Sequence, residues 1–353
     1  MGKIKGFEAF AGVGAQRMAL RNLVIDFEVV GICEIDKFAL KSYEAIHGEC
    51  NNFGDISKIN PNELPDMDLF TYSFPCQDLS IAGKREGLKE GTRSGLLYEC
   101  EKIIEVKKPK YLLLENVKYL VGKKFKPDFD KWLNYLEDLG YKNYWKVLNA
   151  KDYGVPQNRE RVFVVSILGE HKPYEFPKPI ELEKTLIDVL CDDVDSKYYL
   201  SAERIGMIYN WKANQRPLKK VLGLGSISPT LTARGAGSYH SGMILINEHF
   251  EDTVNVDEII LEQPITDDIT FKLRNVTPYE AFRLMDIKDT DITKIQNTGI
   301  SEAQLYKLAG NSIVVAVLEG IFKNLLIDNE QVKEITTEEE KRKDRNIQLK
   351  WCI

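Results

Sequence analysis

Along the first half of the chain, short apolar runs alternate with segments whose apolar residues recur three or four positions apart. The runs "IKGFEAFA", "FEVVGIC", "DLFTYSF", "KYLLLENV", "YWKVLN" and "RVFVVSIL" read as strands. Between them, Gln16–Asn22, Lys37–His47, Leu96–Glu105 and Asp128–Leu139 carry helical spacing. Nearly continuous apolar strands separated by amphipathic helices predict an α/β fold, with a mostly parallel sheet covered on both faces. The pattern changes after about Leu168. Prolines at 173, 177 and 179 mark a connection, and the chain from about 181 to 272 becomes irregular, with short strands and the Gly/Ser-rich "LGSISPTLTARGAGSYHSG". This predicts a second, smaller domain. "TPYEAFRLMDI" and "EAQLYKLAGNSIVVAVLEGIFKNLL" then restore helical periodicity, and a charge-dense stretch, 333–350, reads as a solvated tail or exposed helix.

Composition narrows the picture. The chain has 353 residues, 43% of them hydrophobic and 29% charged, which is ordinary for a globular protein. It contains no run of about 18 uncharged apolar residues and no leader-like N-terminus, so neither a membrane span nor a signal peptide is expected. Six cysteines without a CxxC pairing point to free thiols in the reducing cytoplasm, and four isolated histidines give zinc no ligand set. The formal charge is −6, but it is unevenly spread. Between Leu200 and Leu245, Arg204, Lys212, Arg216, Lys219, Lys220 and Arg234 face only Glu203. From Glu248 to Asp268 there are eight carboxylates and no Lys or Arg. One stretch is thus dressed for a polyanion and the next is not.

The first chemical signal is "FEAFAGVGAQRMAL", a strand, a glycine turn and a helix start. Gly12 and Gly14 permit close backbone approach, and the helix N-terminus offers free N–H groups. The dinucleotide pattern G-x-G-x-x-G/A fails at Arg17, which argues against a dehydrogenase, and there is no P-loop for a triphosphate. Glu34, at the end of the second strand, is placed to accept the hydroxyls of a ribose. Asp55, in "GDI" after what reads as a third strand, lies within reach of an adenine edge. Ribose and adenine contacts without a pyrophosphate clamp point to S-adenosyl-L-methionine.

The second signal is Cys76, which follows a proline where an apolar strand ends and where open α/β sheets place chemistry. A buried small cysteine is the plainer reading of that position alone. Its company argues otherwise. "LLLENVK" ends the next strand with Glu115 and Asn116, and a carboxylate there is expensive unless used. "QNRERVFVV" opens a later strand with Gln157, Arg159 and Arg161. A thiol, a carboxylate and two arginines on one rim form a nucleophile, a proton donor and cationic positioners.

These blocks resemble the C5-cytosine-specific DNA methyltransferases of the bacterial and phage type, as partners of restriction enzymes or as solitary enzymes. "FAGVG", "CEID", "GD", "SFPCQDLS", "ENVK", "QNRER", "TPYEAFRLM" and "AGNS" occur in that family's order, from Phe10 to about Leu326. One departure is Ala15, where many relatives have another glycine. The resemblance implies the following roles. Cys76 adds to carbon 6 of a cytosine flipped out of duplex DNA, Glu115 supports ring N3, and the methyl passes from S-adenosyl-L-methionine to carbon 5. Arg161 meets the base, Arg159 supports the pocket, and Asn116 and Gln77 orient neighbouring backbone. Phe10, Pro75, Leu96, Asn311 and Ser312 join the cofactor site. The segment Ser80–Arg93 is a loop closing over the DNA, with Ser80, Lys84, Arg85 and Arg93 near phosphates. In the region between "QNRER" and "TPYEAF", Thr230 belongs to a recognition element and Arg234 is the leading guanine contact.

The implied organisation is a catalytic and cofactor-binding domain at 1–180 plus 300–328, a target-recognition domain at 181–272, a hinge segment at 273–299 and a tail at 329–353. Double-stranded DNA is the expected partner of a cytoplasmic monomer, with a cognate restriction endonuclease acting independently. Two rival readings share these motifs: a tRNA cytosine-5 methyltransferase and a catalytically silent DNA-binding regulator. The basic "TLT" region weighs against the first, and the intact Cys76, Glu115 and Arg161 weigh against the second.

Overall fold

The computed structural model describes residues 3–75, 94–201, 203, 221–233, 243–246 and 272–328. Its first half alternates as the hydrophobic pattern requires. Strand β1 (Ile4–Ala9) leads into helix α1 (Ala15–Asn22), β2 (Phe27–Cys33) into α2 (Lys37–His47), and β3 (Leu69–Tyr72) precedes α3 (Leu97–Lys107). Strand β4 (Tyr111–Val117), helix α4 (Lys126–Asp138), strand β5 (Tyr141–Asn149), the short β6 (Gln157–Asn158) and β7 (Glu160–Leu168) follow. Local chemistry fixes several helix starts: Asp36 accepts hydrogen bonds from the Phe38 and Ala39 amides at the head of α2. The chain reaches α1 through Gly12 and Gly14, both at positive φ, where a side chain would be strained.

Six strands form one sheet in the order β2-β1-β3-β4-β7-β5. The first four are mutually parallel, whereas β7 runs antiparallel to both β4 and β5. The reversal follows from connection length. Helix α4 provides a crossover long enough to keep β5 parallel to β4, but only the short segment 150–159 separates β5 from β7. Because β2 lies on one side of β1 and β3 on the other, the strand order reverses at β1. A crevice therefore opens beyond the carboxyl ends of β1, β2 and β3. One sequence expectation is corrected here. No third strand precedes Asp55: residue Asn52 makes a single parallel bridge to Ile32, and β3 begins only at Leu69. The polar "CNNFGD" run lacks the apolar length to form a buried strand.

Two apolar layers cover the sheet. On one face Phe7, Phe70, Tyr72, Leu112 and Leu114 pack with residues of α3 and α4, including Cys100, Ile103 and Trp132. On the other, Met18, Leu20 and Val165 pack with the last helices of the chain. These are α5 (Pro278–Arg283), α6 (Asp289–Gln296), α7 (Glu302–Asn311) and α8 (Val315–Phe322). Asn22 at the end of α1 donates to Glu319 of α8 at 2.7 Å, Arg21 pairs with Asp291 of α6, and Lys307 of α7 pairs with Asp36 at 2.6 Å. Among the described residues one helical stretch, Glu302–Ile327, has the length and hydropathy to cross a membrane, but 61% of its apolar window is buried inside the fold.

The second region contributes β8 (Val221–Leu222), β9 (Ser228–Pro229), β10 (Met243–Ile246) and β11 (Lys272–Asn275). Strands β11, β10 and β8 form a small sheet, while β9 pairs in parallel with β6 and so joins this region to the first. The described cysteines Cys33, Cys50, Cys100 and Cys191 are free thiols.

Candidate active site

The switch-point crevice is a cavity of about 360 Å³, within the usual size of small-ligand sites. Phe10, Gly12, Glu34, Asp55, Pro75, Leu96, Asn311 and Ser312 all line it, as do Glu115, Asn116, Arg159 and Arg161. The structure thus gathers into one cavity twelve residues singled out in the sequence. Gly14 lies one residue behind the wall, at the N-cap of α1. Phe10 enters the turn with φ +58°, a left-handed conformation uncommon for an aromatic residue.

Glu34 sits where β2 ends. Its Oε2 accepts from the Gly12 amide at 2.9 Å and its Oε1 from the Asp36 amide at 2.7 Å. Each carboxylate oxygen retains a second acceptor position. Burial raises its pKa, opposed by those amide hydrogen bonds. Asp55 is held low chiefly by hydrogen bonds from the Ser57 hydroxyl and amide, and therefore stays ionised. With Glu34, Asp36 and Asp55 among its lining residues, the cavity offers acceptors to hydroxyl and amino donors. Lys307, paired with Asp36, also lines it. Asp36 was visible in "CEID" without an assigned role, and nothing in the sequence marked Lys307.

At the inner end lies Glu115, the fifth residue of β4. It is 9% exposed, and its Oε1 stands 3.2 Å from Nε of Arg161 on the antiparallel neighbour β7. Val117 is the register partner of Arg161, so the two side chains meet diagonally across the ladder. Burial pushes the Glu115 pKa up, with Arg161, Arg159 and a hydrogen bond from Ser73 pulling against it. Asn116 donates to the Phe74 carbonyl at 3.1 Å while its own oxygen accepts from the Val117 amide at 2.9 Å. It thereby fixes the backbone that leads into Pro75.

Arg159 is 4% exposed, and its guanidinium donates to the carbonyls of Leu231 (2.9 Å), Gly310 (2.9 Å) and Ser312 (2.8 Å). Gln157, fully buried, receives the Leu231 amide at 3.1 Å and donates to the Leu284 carbonyl at 2.6 Å. Thr230 is half-buried, and its hydroxyl donates to the Asn158 carbonyl at 2.7 Å. Four sequence blocks meet at this junction, and only the tertiary structure shows it. Cys76, Gln77, Ser80, Lys84, Arg85, Arg93 and Arg234 lie outside the described residues, as do the basic positions Lys219, Lys220 and His240 and the charged tail.

The mixed, mostly parallel sheet with a cavity at its switch point has the α/β methyltransferase architecture. Residues 4–326 match the family C-5 cytosine-specific DNA methylase, and the chain belongs to that family. It is 39% identical to the type II methyltransferase M2.ScrFI of Lactococcus lactis subsp. cremoris, over 91% of this chain and 99% of that protein. It is 34% identical to the type II methyltransferase M.NlaX of Neisseria lactamica, over 91% and 96%. The orphan methyltransferase M.SPBetaI of Bacillus phage SPbeta is 31% identical over 92% and 98%. Among solved structures, the Entamoeba histolytica methyltransferase EhMeth shares the fold with a TM-score of 0.73 at 20% identity, covering 93% of this chain and 99% of that one. The protein is an enzyme that methylates DNA at carbon 5 of cytosine.

Proposed function

We propose that the switch-point cavity takes S-adenosyl-L-methionine as methyl donor and that Cys76, Glu115 and Arg161 carry out the transfer on a flipped cytosine. The observation that carries this reading is the buried Glu115–Arg161 pair. It opens into the same cavity as Glu34 and Asp55, with Pro75, the neighbour of Cys76, on its wall. Glu34 would take the ribose hydroxyls, Asp55 the adenine edge, and Phe10 and Leu96 the apolar faces, with Pro75, Asn311 and Ser312 completing the enclosure. The bound donor supplies an electrophilic methyl group on a sulfonium.

Carbon 5 of cytosine is a weak nucleophile. Attack of the Cys76 thiolate on carbon 6 breaks the 5,6 double bond and moves its electron pair toward carbon 5. Glu115, whose pKa burial raises, hydrogen-bonds or protonates N3 as charge builds there. Arg161 holds both the carboxyl and the base in place. After methyl transfer, loss of the carbon 5 proton re-forms the double bond and expels the thiolate. Arg159 acts at one remove, through the carbonyls of Gly310 and Ser312. Because the base must leave its stack to reach these groups, the substrate is double-stranded DNA bound by base flipping. Gln77, Ser80, Lys84, Arg85, Arg93 and Thr230 serve that binding, and Arg234 reads a guanine.

The proposal extends to organisation. Residues 1–180 with 300–328 form the catalytic domain, 181–272 the recognition domain and 273–299 the hinge, followed by the tail from 329 to 353. The enzyme works in the cytoplasm as a monomer, and any cognate restriction endonuclease acts separately; both type II and orphan enzymes stand among its relatives. The test is trapping. Duplex DNA carrying 5-fluorocytosine in the target site, with the methyl donor, leaves wild-type enzyme covalently joined to DNA, and Cys76→Ser leaves none. Efficient methylation without that adduct, or full activity in Cys76→Ser, overturns the mechanism.

A further inference from the structure

Beneath the glycine turn lies a polar cluster that the reaction does not use. Glu8 of β1 is 2% exposed, and its Oε2 accepts from the Tyr43 hydroxyl at 2.8 Å. That hydroxyl accepts from Arg17 at 3.3 Å, and Arg17 also donates to the His47 carbonyl at 3.3 Å. The Tyr43 and His47 rings pack with centroids 4.6 Å apart. His47 Nε2 faces the Val13 carbonyl at 3.2 Å. Since a carbonyl only accepts, Nε2 carries the proton. Burial and the charge of Arg17 drive the His47 pKa down to about 3, so the ring is neutral and its tautomer is fixed.

The turn itself is pressed onto this floor. A Cβ on Gly14 would stand 2.5 Å from His47 Nε2 and 2.7 Å from the Tyr43 ring. On the upper side of the same turn, the Gly12 amide donates to Glu34, the proposed ribose acceptor. Helix α1 has neither a side-chain N-cap nor an acidic residue in its first turn, so its own support for the turn is backbone only, the Met18 amide donating to the Gly14 carbonyl at 2.9 Å.

We propose that His47 is a positioning residue for the methyl-donor pocket. Its Nε2–H holds the Val13 carbonyl, the adjoining peptide places the Gly12 amide, and that amide aims Glu34 at the nucleoside. Tyr43, braced by Arg17 and Glu8, supports the ring from below. The proposal rests on the reading of the cavity as the donor site.

The test measures binding of S-adenosylhomocysteine to the DNA-free enzyme by calorimetry, alongside the KM for the donor, kcat at saturation and the Kd for duplex DNA. In His47→Ala, donor affinity falls about tenfold, the scale of one lost buried hydrogen bond, while kcat at saturating substrates and DNA affinity hold. His47→Gln, whose amide can donate to the same carbonyl, recovers most of the loss. Tyr43→Phe keeps the ring and loses only its bridge to Arg17 and Glu8, giving a smaller loss and a folded control. Unchanged donor affinity in both His47→Ala and Tyr43→Phe overturns the proposal, as does equal weakening of donor and DNA binding in His47→Ala. Wild-type enzyme that binds no S-adenosylhomocysteine would count against the donor site itself, a separate failure.

Discussion

Two buried carboxyls with opposite duties set the pH behaviour at the scale of single residues. In the proposed mechanism Glu115 gives or shares a proton, and burial raises its pKa so that more of the acid form survives at higher pH. Above that shifted pKa the acid form is lost, so wild-type methylation should decline on the alkaline side. Glu115→Gln keeps the shape but cannot transfer a proton. Its kcat should fall by about 10²–10⁴-fold and lose that alkaline limb, as read from initial rates with tritiated donor across pH 6–9. Glu8 serves structure instead. Burial lifts its pKa to about 7, with Tyr43 and Arg17 opposing. A carboxyl that binds its proton more tightly when folded favours the fold below its unfolded pKa, and that contribution disappears as pH rises through the folded value. Wild-type stability should therefore fall between pH 4.5 and about 7. Glu8→Gln should flatten this slope, by at most about 3 kcal/mol, in urea titrations at pH 5 and pH 8.

Between elements, the "TPYEAFRLM" block is built around one buried ion pair. Arg274 of β11 donates to both oxygens of Glu280 of α5, at 2.8 and 2.7 Å, with exposures of 2% and 0%. Glu280 also accepts from the Thr277 amide at 2.8 Å in a capping box and from the Cys191 amide at 2.8 Å. One carboxylate thus ties a strand of the small sheet, the start of α5 and the chain near Cys191. Glu280→Ala would strand the guanidinium in the interior and should destabilise the protein by about 3–5 kcal/mol in chemical denaturation. A loss below about 1 kcal/mol would falsify this account of the block. Nothing in the sequence paired Glu280 with Arg274 rather than with Arg283, which instead bonds Asp289.

At the scale of the whole molecule, the second region and the switch-point cavity share one seam. Gly310, inside "AGNS", lies so close to the segment after β9 that an added Cβ would stand 2.5 Å from the Ala233 amide and from the Thr232 carbonyl oxygen. Arg159 clasps both sides through Leu231, Gly310 and Ser312. Gly310→Ala should force the two regions apart, raising KM for DNA and for the methyl donor together by about tenfold or more. Steady-state kinetics with each substrate varied would show a rise in only one if the seam were not shared. Much of this protein is legible in its residues alone: the strand and helix order follows from periodicity, and residue type and motif single out Phe10, Glu34, Asn311, Glu115 and Arg161, which line one cavity. Those signals are local, because a buried strand or a helix face writes its period into neighbouring positions. The place of β7 between β4 and β5, the triple clasp of Arg159 and the floor made by Tyr43 and His47 were decided by tertiary structure alone. Each depends on which distant backbone groups become neighbours once the sheet closes, and no spacing along the chain records that choice.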